Sequence, residues 1–278
     1  MFGQSSVAPV QLTFSSIGVP GAGFTGVEGI NSFGDVVGYY GGTSNGPFHS
    51  FVVRHGNFTF FDYPGGRSTV ATGINDSGLI VGYAGSLSVR GFTYDGVTFF
   101  PIQRSGDSAT FAIGINNTGT ICGGTGTIGT TRGFELLGGH FKRISPPPGN
   151  FVYVYATGIN NFGELVGWDE TGGFALINGK YVSLNFPGAD LTEALAVNDS
   201  GVIIGWYGKG GSIFGFAFAN GRYTSFAYPG AKGTLPRGIN NSGQIVGEYT
   251  SDFQTYYGFV TSSAWLGGWA VPDPRHYK

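Results

Sequence analysis

The chain has 278 residues, a formal net charge of −2 and only 11% charged residues. With no basic run of the kind a phosphate backbone requires, nucleic acid is excluded as an expected partner. Glycine reaches 53 residues beside 41% hydrophobic and 16% aromatic residues, a composition that fits many short strands joined by tight turns around a buried core, because glycine takes φ > 0 without steric cost.

Cys122 is the single cysteine, so neither an intrachain disulfide nor a cysteine zinc site is expected. No apolar run approaches the ~18 residues of a membrane span. The opening MFGQSSVAPV lacks the positive and apolar regions of an export signal. It reads either as a protein that is not exported or as a mature chain whose signal has been removed.

In chain order, the first predicted element is a strand in QLTFSSIGVPG (11–21), with no partner nearby in sequence. GINSFGDVVGYY (29–40) then opens a phrase that returns as GINDSGLIVGY, GINNTGTICGG, GINNFGELVGW, AVNDSGVIIGW and GINNSGQIVGEY. Its asparagines, Asn31, Asn75, Asn116, Asn160, Asn198 and Asn240, are spaced by 44, 41, 44, 38 and 42 residues. That period is the length of a four-stranded propeller blade. Within each unit, strand a ends in Gly-Ile-Asn and strand b is the Ile-Val-Gly segment. An Asn-Asx-x-Gly turn joins them, its side chains bonding local backbone. Strand c carries a Gly-Phe step, as in RGFTY (90–94), with HSFVV (49–53) as the variant. Strand d ends in Pro-Gly, as in FTFFDYPG (58–65).

The last copy is followed by strands b and c, ending at YGFVTS (257–262), but by no strand d. The orphan at 11–18 supplies it. The expected fold is therefore all-β, a single-domain six-bladed β-propeller of four antiparallel strands per blade, closed by the N-terminal strand completing the last blade. The expected blades are about 22–65, 66–106, 107–149, 150–188, 189–230 and 231–262 plus 11–18. The tail 263–278 matches none of them.

The repeated GIN-x-x-G-x-I-V-G-x-Y followed by a Phe step resembles the HAF-repeat family, bacterial repeat proteins of the cell exterior. The match covers residues 11–262. It implies a propeller-like fold and a periplasmic or extracellular location, and it brings no chemistry with it. Of the His-Ala-Phe tripeptide, only His49-Ser50-Phe51 keeps the histidine; the aligned positions hold Arg90, Arg132, Gly172, Phe214 and Tyr257.

In such a ring the d–a and b–c loops share one variable face, where residues that break the repeat point to function. Three sets stand out. Before Gly-Ile-Asn, at the expected channel mouth, are Glu28, Thr72, Ile113, Thr157, Leu195 and Arg237, with Glu193 as a companion; Glu28 and Arg237 could equally be an ion pair across a blade junction. After Ile-Val-Gly come Tyr39, Tyr83, Gly124, Trp168, Trp206 and Glu248, either platforms for sugar faces or packing between blades. Opening strand c are His49, Arg90, Arg132 and Tyr257, suited to an acidic ligand or simply to bracing loops. Metal-ligand spacing among histidines, P-loop, dinucleotide and G-x-S-x-G signatures are all missing. The sequence thus points to a non-catalytic binding module for a carbohydrate or acidic surface polymer, with no metal and no cofactor. The alternative is a hydrolase, lyase or isomerase using Glu28, His49, Arg237 and Tyr257.

Overall fold

A computed structural model describes residues 12–85, 88–127, 129–144 and 151–262; the sequence tail at 263–278 lies outside them. The described residues form 24 strands and no helix. A leading strand, β1 (Phe14–Ile17), precedes β2 (Phe24–Ile30), β3 (Val36–Gly41), β4 (His49–Arg54) and β5 (Asn57–Phe61). Next come β6 (Ser68–Ile74), β7 (Ile80–Gly85), β8 (Val89–Tyr94) and β9 (Phe99–Ile102). The third group is β10 (Ala109–Ile115), β11 (Ile121–Thr127), β12 (Thr130–Leu137) and β13 (His140–Ile144). Then follow β14 (Val154–Ile159), β15 (Leu165–Asp169), β16 (Gly172–Ile177) and β17 (Lys180–Leu184). The fifth group is β18 (Leu191–Val197), β19 (Ile203–Lys209), β20 (Ser212–Ala219) and β21 (Arg222–Phe226). The chain of strands ends with β22 (Gly233–Ile239), β23 (Ile245–Thr250) and β24 (Tyr257–Thr261).

Within each group successive strands pair antiparallel, as in β2-β3-β4-β5 and β14-β15-β16-β17. The other groups are joined in twos by single parallel bridges, Ala109 to Val89 and Ile213 to Gly233. The last group has only three strands of its own. β1 supplies the fourth, pairing antiparallel with β24 from Phe14↔Thr261 to Ile17↔Gly258.

The repeated phrase has a physical explanation at each letter. The asparagine Oδ1 accepts the backbone N–H groups two and four residues on, as Asn160 does from Phe162 and Glu164. The turn glycines Gly34, Gly78, Gly119, Gly163, Gly201 and Gly243 hold φ between 70° and 81°, where a side chain is strained. In strand b, a Cβ on Gly205 would stand 1.9 Å from Glu193 O, and on Gly247 2.2 Å from Leu235 O. The phenylalanines of strand c, Phe51, Phe92, Phe134, Phe174, Phe216 and Phe259, are all buried below 2% exposure. Phe51, Phe134, Phe174, Phe216 and Phe259 each belong to a core cluster spanning a junction between groups, such as Val166, Leu184, Ala194 and Phe216, and Phe92 meets Phe99 edge-on. One such cluster joins Val246 of the last group to Val27 and Phe51 of the first.

The asparagines also connect the groups to one another. Asn31 Nδ2 donates to Asn75 O, Asn75 to Asn116 O, Asn116 to Asn160 O and Asn160 to Asn198 O. Asn198 continues to Asn240 O, and Asn240 Nδ2 donates back to Asn31 O at 3.0 Å. The cycle returns to its start.

Candidate functional site

The inner strand of every group carries a β-bulge at the same place, between 27/29, 71/73, 112/114, 156/158, 194/196 and 236/238. The extra residues are Glu28, Thr72, Ile113, Thr157, Leu195 and Arg237, the set that precedes Gly-Ile-Asn. A bulge re-aims its side chain. Glu28, Thr72, Ile113, Thr157 and Arg237 line a cavity of about 80 Å³ on the axis. This set lies three residues from the asparagine cycle, so it sits inside the channel and not at its mouth. Below it, Ile30, Ile74, Ile115, Ile159, Val197 and Ile239 border both this cavity and a second, of about 70 Å³, at the asparagine end. Both are far below the ~300 Å³ of a drug-sized site.

Glu28 and Arg237 do meet, at 3.7 Å between Oε1 and Nε, and Arg237 Nη2 stands 3.5 Å from Glu248 Oε2. The Arg237 side chain keeps 26% of its surface open. Its Nε, however, is sealed and without a hydrogen-bond partner among the described residues. Glu248 is 2% exposed and accepts a hydrogen bond from Tyr39 Oη at 3.4 Å. Burial pushes the Glu28 carboxyl up to about 7 despite the Arg237 charge, helped by the Glu248 charge and a hydrogen bond shared with it. Burial likewise raises Glu193 to about 7, against the pull of Arg237 and of a hydrogen bond donated by the Trp206 indole. Desolvation, followed by the neighbouring carboxylates, holds the Tyr39 and Tyr83 phenols above their ordinary range. One guanidinium thus stands among three carboxyls, two of which burial makes easier to protonate than an ordinary carboxyl.

The set after Ile-Val-Gly encircles the channel with its cross-strand partners on the inner strands. Trp168 stacks on its partner Tyr155 at 4.7 Å, Tyr155 reaches Phe111, and Phe111 meets Tyr83 edge-on at 5.1 Å. Tyr39 connects to Glu248 and Arg237, and Glu193 to Trp206. Three rungs pair large with small or polar, Gly26 opposite Tyr39, Phe111 opposite Gly124 and Glu193 opposite Trp206, whereas Tyr155 opposite Trp168 sets two large rings together. Tyr39, Tyr83, Trp168 and Trp206 are half-buried, so each packs against its neighbours and keeps part of its surface open.

The strand-c set does not join them. His49 Nδ1 bonds Asp62 Oδ2 at 2.7 Å and its ring packs on Tyr40. Arg90 is exposed on β8. Arg132 Nη1 donates to Phe151 O and Val152 O, bracing that loop. Tyr257 is 48% exposed and packs beside Tyr249. The quartet Glu28, His49, Arg237 and Tyr257 is therefore divided. Only the bulge pair shares a site, because strand-c openers stand two strands out from the axis. Glu248 and Glu193 take the remaining positions around Arg237. Their approach depends on the curvature of the whole assembly, although Glu248 is visible in the sequence as the charged exception in an aromatic series. Among the described residues no cluster of histidine, cysteine or acidic side chains could hold a metal ion. Cys122 is buried, its thiol pushed up to about 12.

No family model and no curated protein matches the chain. Solved structures do. TolB from Acinetobacter baumannii aligns with a TM-score of 0.54 at 12% identity, over 83% of this chain and 64% of that one. A triple arginine mutant of AofleA from Arthrobotrys oligospora aligns at 0.53 and 10% identity, over 90% and 86%. The β-propeller domain of the Trilobed protease from Pyrococcus furiosus aligns at 0.48 and 10% identity, over 92% and 99%. The four-stranded antiparallel groups and the asparagine cycle that links them make the fold a β-propeller. At such identities the likeness is one of architecture alone.

Proposed function

We propose that this chain is a six-bladed, ring-closed member of the HAF-repeat type, placed outside the cytoplasm. It acts as a non-catalytic carbohydrate-binding module whose ligand sits at the channel mouth. The six-membered asparagine cycle and the β1–β24 pairing support the closed ring. The carrying observation for function is the belt of half-buried aromatics, Tyr39, Tyr83, Tyr155, Trp168 and Trp206, over the Glu28–Arg237–Glu248 cluster. Aromatic faces suit the C–H faces of a sugar ring, and carboxyls with a guanidinium suit its hydroxyls. Three carboxyls against one arginine favour a neutral sugar over an acidic one here. The narrow cavity beneath supports a ligand resting on the belt, not one threading the axis.

Glycan-array and affinity-electrophoresis measurements test this. Binding of a neutral glycan by the wild type should be lost in Trp168→Ala and Trp206→Ala with the fold retained. Wild-type binding that persists in both variants refutes the platform role.

The two carboxyls near pH 7 favour a second reading, acid–base catalysis as a hydrolase, lyase or isomerase. That reading requires turnover of a glycan substrate that disappears in Glu28→Gln while binding survives.

A further inference from the structure

Among the described residues, one junction breaks the repeat in two places at once. In the loop leading into the inner strand, a backbone N–H donates to a threonine Oγ1 six residues on. This holds for Val19 to Thr25, Tyr63 to Thr69, Arg104 to Thr110, Phe186 to Thr192 and Tyr228 to Thr234. Arg104 is therefore the equivalent of Phe186 and Tyr228. Opposite these threonines in strand b stand Thr125, Tyr207 and Tyr249 respectively. Where both positions are aromatic they stack face to face: Phe186 on Tyr207 at 3.7 Å and Tyr228 on Tyr249 at 3.6 Å, each with 3° between planes. Arg104 and Thr125 cannot make that plug. A cavity of about 160 Å³ opens where it would be.

The opening is chemically distinct from the channel. Arg104, Arg132 and Arg143 line it with a single acid, Asp107, leaving these four side chains with two net positive charges. Asp107 Oδ2 is shared between Arg104 Nη1 at 3.1 Å and Thr125 Oγ1 at 2.9 Å. Phe134 and Phe141 add an apolar wall. The volume is about half the ~300 Å³ at which drug-sized sites begin. It fits one ring and not an extended chain.

We infer that this junction pocket is a second binding site, for a carboxylate-bearing sugar residue such as a uronate. Guanidinium groups pair with the planar carboxylate, and the phenylalanine wall receives the ring. The pocket is independent of the channel belt.

Titration calorimetry with trigalacturonate, its methyl ester and sodium sulfate tests the site. The variant R104F/T125Y installs the plug that the chain uses at two other junctions. Wild-type protein should bind trigalacturonate. Binding should weaken at least tenfold for the ester and for R104F/T125Y, several-fold for R143Q, and remain unchanged in Trp168→Ala. No binding by the wild type, equal affinity for the ester, or undiminished binding by folded R104F/T125Y overturns the inference. Sulfate binding as tightly as trigalacturonate overturns the sugar assignment. Should R104F/T125Y fail to fold, R143Q decides: unchanged affinity overturns the site.

Discussion

Asn116 performs two separable tasks. Its Oδ1 accepts from Thr118 and Thr120 within the turn, and its Nδ2 donates to Asn160 O in the next unit. Asn116→Asp keeps the acceptor and deletes the donor. It leaves a buried carbonyl short of a partner, a loss of about 1–3 kcal/mol. Thermal melting should show a lower Tm; an unchanged Tm would mean that the cycle contributes nothing. The turn role was readable from the Asx rule. The link to the neighbour was not, since nothing local records which carbonyl lies across a junction. The same holds for Glu28 and Arg237, whose pairing was readable from the unit order, and for Glu193, whose approach to them was not.

The raised carboxyls set a pH dependence. Glu28 and Glu193 titrate near 7 in the fold against an ordinary 4.5, so the folded chain keeps protons that the unfolded chain releases in between. The stability they contribute is complete below about 4.5 and is lost as pH rises through 7. At ~1.4 kcal/mol per pKa unit, partial exposure keeps each contribution to at most about 3 kcal/mol. Melting temperature should fall across that window, and the fall should shrink in Glu193→Gln. A wild-type Tm flat over that range contradicts the burial of these groups.

At the scale of the element, the strand-b glycine is set by its neighbour in the sheet. The bulge carries the inner strand's carbonyl to 1.9 Å from where a Gly205 Cβ would stand, whereas a Cβ on Gly208 meets nothing within 4 Å. Gly205→Ala must move backbone and should cost roughly 2–4 kcal/mol, as severe core strain does. Gly208→Ala should change little. Denaturant titration of the two distinguishes them; equal effects would refute the close approach. Strand boundaries and the Gly-Phe step were readable because they repeat. The bulge was not, because it alters pairing and adds no signature beyond the glycine it requires. That is why the Glu28 set was expected at the channel mouth and lies within it. The strand-c openers His49, Arg90, Arg132 and Tyr257 show the converse: their alignment was sound, and their distance from the axis separates them from Glu28.

At the scale of the whole molecule, the two proposed sites lie on the axis and at one junction, and the channel site rests on the proposed closure of the ring. The β1–β24 pairing brings Val246 against Val27 and Phe51, and Arg237 against Glu28. Opening the ring there would dismantle the channel cluster at its charged side. The partnerless strand at 11–18 and the missing last strand made this pairing readable. The cavity at Arg104 was not readable, because only the stacked aromatics at equivalent junctions reveal what its absence leaves. Hydrogen exchange of the full chain, followed on Phe14–Ile17 and Tyr257–Thr261, tests closure most directly. A closed ring predicts amides of β1 protected to the same degree as those of β24 and of the fourth strands β5 and β17. Exchange of β1 at the rate of an unstructured segment, with the other strands protected, would contradict it.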